Sequence, residues 1–324
     1  MSIKRALVVV LQVLALTICL VVCFVFAVWL SGLAGPQPAA QAPAATSTAA
    51  PPPAPTAGPA PQQSVGTMTP EQRAQAQQAA AFFKPMFVFA LLVSTAFAWM
   101  LLRSGWAGWP LLAATFVAYF GLSTVVSQIE TAIYLPAKMP PGMLRAIVLA
   151  GLYQSLLFAP LAVLVLGKVR GEPKEARYLR YSPGGWAARL VLLAVVYVAL
   201  YYLFGYYVAW KVPAVREYYG GADPGSIFLQ LAGIWRGTPW MFAIQFGRGL
   251  LWTLFVLPLV RCFQGGRLEL AVALAFFFAC WSAVLLLPNP LMPPAVAHAH
   301  LVETAACDAV LGLVTGWVLG AHRG

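Results

Sequence analysis

Apolar residues run along this chain in long, nearly unbroken stretches, without the alternation that marks a half-buried strand. A helix that crosses a bilayer needs about 20 mostly apolar residues. Eight stretches meet that requirement, at roughly 6–30, 82–102, 109–129, 143–167, 187–210, 240–260, 268–287 and 295–320. None alternates as barrel strands do, so the pattern predicts an all-α polytopic membrane bundle of eight transmembrane helices. The first stretch follows Lys4 and Arg5 and exceeds the 7–15 residues or so of a signal-peptide core. It is expected to stay as an anchor over residues 1–34.

Between the first two spans the pattern collapses. Residues 35–66 are almost wholly Ala, Pro, Gln, Ser and Thr, a composition that cannot bury a core and predicts disorder. The expected organisation is an anchor (1–34), a Pro/Ala-rich linker (35–80) and a seven-helix body (81–324). A second break, 211–239, shows helical spacing of its own. Asp223 is placed to cap a helix opened by Pro224, and Ile227, Phe228, Leu231, Ile234 and Trp235 form one apolar face before Gly237. A short helix over 224–235, lying flat in the membrane interface, is expected.

Composition narrows the class. The 324 residues are 61% hydrophobic and only 9% charged, against about 25% charged in soluble domains. Mean hydropathy is +0.80. A soluble enzyme and a nucleic-acid-binding module are excluded, and membrane lipids become the expected partners. The net charge of +11 orients the bundle. With both termini cytoplasmic, 12 of the 20 Lys and Arg fall on the cytoplasmic side, six of them in the loop 168–189. The linker and 211–239 are then extracytoplasmic. The five cysteines form no paired motif and read as small buried hydrophobes.

Ionisable groups inside spans are costly and therefore informative. Here they are Glu130, Arg248, His300, Glu303 and Asp308, with His298 on the opposite face of the last span and Gln128 and Gln245 as neutral companions. Most fall in the outer third. Arg248 and Glu303 each lie roughly 12 Å inside their helix starts at about 1.5 Å per residue. In AHAHLVETAACD (297–308), His300, Glu303, Thr304, Cys307 and Asp308 share a stripe. Ser123, Ser127, Glu130 and Tyr134 form a second, and Met241, Gln245, Arg248 and Trp252 a third.

Three readings of these residues stay open. In one, Glu130 or Glu303 pairs with Arg248 and merely holds helices together. In another, His300, Glu303 and Glu130 are catalytic, with the His–Glu pair handling a proton and Arg248, Arg216 and Gln245 binding an anionic lipid or small molecule. In the third, His300, Glu303 and Glu130 ligate a divalent metal. Tyr218 and Tyr219, with Arg216 and Glu217, are placed to roof the pocket. The tyrosines of the fifth span (197–210) read as an interfacial aromatic belt.

The stretches 197–221, 248–261 and 286–317 resemble a family of polytopic bacterial membrane proteins of unassigned function. The resemblance implies the bacterial inner membrane and transfers no catalytic residue. The expected function is a membrane-embedded enzyme or a lipid- or ion-binding protein with an extracytoplasmic polar pocket. The alternatives are a small-solute or ion transporter and a structural partner subunit.

Overall fold

The computed structural model describes residues 3–33, 70–136, 139–171, 174, 181–289 and 291–320. The linker expected over 35–66 lies outside them. Among the described residues there are eleven α-helices and no strands. Eight helical segments are long and apolar enough to cross a membrane, at Ile3–Leu30, Ala80–Leu102, Gly108–Tyr134, Met143–Val165, Pro183–Ala209, Trp240–Cys262, Arg267–Leu286 and Pro294–Leu319. The protein is an integral multi-pass membrane protein built as an all-α bundle. Eight crossings bring both ends of the described chain to one end of the bundle, here the terminal end. The opposite, long-loop end carries 135–142, 210–239 and 287–293.

Helix α1 (Ile3–Leu30) packs on α2 (Pro70–Leu102) and α5 (Met143–Val165). Its Leu16, Leu20 and Cys23 are buried, and Gln12 Nε2 donates to Val165 O at 3.1 Å. The anchor thus shares the core of the body. Because α2 begins at Pro70, the last eleven residues assigned to the linker are helical.

Three crossings depart from ideal helices. The third runs from α3 (Gly108–Phe120) through a π-helical stretch, Gly121–Val126, into α4 (Ser127–Tyr134). The fifth, α6 (Pro183–Phe204), ends in the π-helical Gly205–Ala209. The seventh, α10 (Arg267–Ala279), closes in a 3₁₀ stretch, Cys280–Leu286. The first π stretch opens at a close contact, because a Cβ on Gly121 would lie 2.1 Å from the Phe255 ring. That glycine lets α9 (Trp240–Cys262) approach.

The core centres on aromatics. Phe97 lies 4.8 Å from Phe277 and 5.5 Å from Phe158 between ring centroids, and Tyr119 stands 5.2 Å from Trp281. The last crossing, α11 (Pro294–Leu319), is held against α10 by Gly312 and Gly316. A Cβ there would sit 2.3 Å from Leu274 O and 2.4 Å from Ala271 Cα, the backbone approach that a small-xxx-small spacing allows.

The connection 210–239 forms two helices. The second, α8 (Ile227–Gly237), starts three residues later than the sequence pattern places it. Ser226 is its cap, with Oγ accepting from Leu229 N at 3.2 Å. Asp223 accepts from Gly225 N at 2.9 Å, making a turn ahead of the helix. Phe228 and Trp235 project outward, 79% and 65% exposed.

Candidate polar site at the long-loop end

The roof comes from a helix that sequence pattern alone does not reveal, α7 (Pro213–Tyr219). Pro213 stands at its first turn, Gly220 ends it in the left-handed region at φ 71°, and Val215, fully buried, pins it to Val296 and Ala299. Tyr218 OH donates to Leu291 O at 2.6 Å, tying the roof to the loop before α11. Tyr219 then hangs over His300, with its OH 3.2 Å from Nε2. Burial, and then the Glu130 carboxylate, push the Tyr219 phenol above its ordinary value, so it stays protonated.

On α11, His300 and Glu303 occupy one face at i, i+3, with Nδ1 2.7 Å from Oε2. If Glu303 is ionised, Nδ1–H donates to it and Nε2 accepts from the Tyr219 hydroxyl. The result is a continuous chain from the roof to a buried carboxylate. Glu303 is 8% exposed. The π-helical turn of the fifth crossing abuts it, because a Cβ on Gly205 would be 3.4 Å from Oε1. Asp308, one turn deeper, is buried as well, and Arg248 is the cation whose charge acts on it. His298 is exposed on the opposite face.

A second cluster forms around α9. The Arg248 guanidinium bonds the Glu130 carboxylate from α4 and Gln245 Oε1, the latter at 2.8 Å. It lies 5.5 Å from the centre of the Tyr197 ring. The Arg248 side chain is 6% exposed and that of Glu130 34%. Arg248 Nε, Gln245 Nε2 and Trp252 Nε1 are buried donors without an acceptor among the described residues. The two clusters meet through Tyr134, which bonds Tyr201 OH at 2.8 Å and sets its ring edge-on to Tyr219 at 6.1 Å.

The structure therefore gathers Glu130, Gln245, Arg248, His300 and Glu303 at one end of the bundle, in two linked groups. Glu130 turns to Arg248. Among the described residues, no three His, Cys, Asp or Glu side chains converge to hold a metal ion, so His300, Glu303 and Glu130 do not form the ligand set expected of them. Arg216 is also engaged elsewhere. It donates to Trp210 O at 2.6 Å and stands 4.0 Å from Asp223, folding the connection rather than facing the site. Arg236 is exposed on α8.

The tyrosines of the fifth crossing correct the belt reading. Tyr207 faces outward at 59% exposure, but Tyr197, Tyr202 and Tyr206 are buried. Tyr197 and Tyr201 are site residues that sequence reasoning missed. The usable signal was their spacing of four, which puts them on one helical face.

Compared with protein-family models, curated proteins and solved structures, the chain matches none.

Proposed function

We propose that this protein is a membrane-embedded enzyme or ligand-binding protein whose polar site handles a proton at the extracytoplasmic face of a bacterial inner membrane. The observation that carries this reading is the Tyr219–His300–Glu303 chain, which leads from a roof helix to a buried carboxylate. Both ring nitrogens of His300 are engaged, Nδ1 with Glu303 and Nε2 with the Tyr219 hydroxyl, the connectivity a proton relay requires.

The surroundings support it. π-helical turns occur often at functional sites, and here such turns lie in the crossings that deliver Glu130 and crowd Glu303. Three unmet buried donors on α9 are costly at about 1–3 kcal/mol each, and they suit an oxygen-bearing ligand. Charge asymmetry puts this end outside, because the 168–189 loop belongs to the terminal end. The aromatic core around Phe97 fills the bundle beneath the site, which favours a one-sided pocket over a transport path.

A second reading, a purely structural clamp, draws on the Arg248–Glu130 pair, which ties α4 to α9. The clamp does not use Glu303 beyond its packing, so Glu303→Gln separates the two readings. As a working residue, Glu303→Gln leaves the detergent-solubilised protein folded, with an unchanged melting temperature, yet fails to rescue a strain lacking the gene. A variant that restores the strain in full, or whose only defect is instability, would overturn the proposal.

A further inference from the structure

A separate feature occupies the terminal end. Three connections, represented by 103–107, 166–171 with Lys174, and 263–266, meet there around a cavity of about 310 Å³. Sequence distance hides this meeting, but the backbone holds it firmly. Gly105 N donates to Cys262 O at 2.6 Å, Gln264 N to Arg103 O at 2.8 Å, Gly108 N to Lys168 O at 2.8 Å, and Lys174 N to Gly105 O at 2.9 Å. Four main-chain bonds between loops make a built cradle rather than a loose surface.

Arg103, Lys168, Arg170 and Lys174 line the cavity, with no carboxylate among the described lining residues. Arg103 reaches Glu269 at the margin. Lys168 Nζ has the carbonyl of Ser104 at 3.0 Å and no carboxylate among the described residues. Arg170 and Lys174 are exposed. Burial, together with the Lys174 ammonium, holds the Lys168 amine below the ordinary lysine range, the response of a cation among cations that a bound anion would reverse. The cavity lies where α2, α5 and α9 end and α3 and α10 begin, which is headgroup depth. Trp109, Val169 and Leu268 stand outward beside it, 79%, 48% and 67% exposed, as side chains in contact with acyl chains would.

We propose that this pocket binds a phosphate-bearing anion, supplied either as the headgroup of an anionic phospholipid or as a free phosphate ester. Basic pockets between crossings on the cytoplasmic side recognise lipid phosphates in this way. The reading is independent of the polar site at the other end.

The test is a melting-temperature titration of the purified full chain in detergent, with phosphatidylglycerol, phosphatidylcholine and glycerol 3-phosphate as probes. Saturable stabilisation by phosphatidylglycerol alone identifies a lipid site. Stabilisation by glycerol 3-phosphate as well identifies a site for the free ester. In both cases Arg170→Gln/Lys174→Gln, two exposed changes, should weaken the midpoint by about fivefold for each cation removed, with the ligand-free melting temperature unchanged. Lys168→Gln should weaken it further. The proposal is overturned if no probe stabilises beyond phosphatidylcholine, or if the double variant keeps the full response.

Discussion

Two arginine–glutamate pairs, at opposite ends of the bundle, separate what burial does from what charge does. Arg248 and Glu130 join two crossings where the arginine side chain is 6% exposed. Arg103 and Glu269 join two others where it is 48% exposed. Charge type and contact are alike, yet the energetics differ. A buried guanidinium deprived of its partner keeps the full cost of lost hydration, whereas an exposed one returns to water. The same contrast runs through the two ends as wholes. At the long-loop end the charges are paired, roofed and enclosed among tyrosines. At the terminal end the Arg103–Glu269 pair is open to solvent, and Arg170 and Lys174 are exposed.

The largest effect should appear when each glutamate is removed. Glu130→Ala should destabilise the detergent-solubilised protein by about 3 kcal/mol, the low end for breaking a buried pair because Glu130 itself is partly exposed. Glu269→Ala should cost less than about 1 kcal/mol. Comparable losses in chemical unfolding would break the comparison.

A smaller effect is expected at the roof. Tyr219→Phe removes one hydrogen bond, to His300, and should cost about 1 kcal/mol. Hydrogen exchange should quicken in 213–219 but not in the 103–107 connection.

The smallest effect concerns the loop beside the roof. The Gly225 amide first, then Lys211 and Arg216, hold the Asp223 carboxyl below its ordinary value. A depressed folded value means that its contribution is present above the ordinary carboxylate range and is lost as pH falls through the lowered value. Exchange protection of 211–225 should therefore fall in acid, and Asp223→Asn should remove that pH dependence.

How much of this was legible depended on whether the signal was local. The crossings could be read to within a few residues, because a helix in lipid must be apolar over a fixed length. The Arg248 pairing was legible too, since a lone charge there is too costly. The π-helical turns were not. Gly121 in the first faces Phe255 and Gly205 in the second faces Glu303, contacts between residues far apart in sequence. Helix α7 is only seven residues long and owes its place to Val215 packing on α11. Tyr197 and Tyr201 were hidden among aromatics that a membrane interface explains equally well. The cradle at the terminal end was invisible for a related reason. Its cations look like a solvated loop until the backbone bonds between connections are seen.

The central claim is that His300 and Glu303 exchange a proton with the extracytoplasmic side. The chain has three histidines, so His298→Gln/His322→Gln leaves His300 as the one observable. In proteoliposomes of uniform orientation with ¹⁵N-histidine, the His300 ring resonances should shift when pH is changed on the long-loop side alone. That response should change in Glu303→Gln. Resonances that stay fixed across pH, or that follow the pH of the side bearing Lys168, would contradict the account.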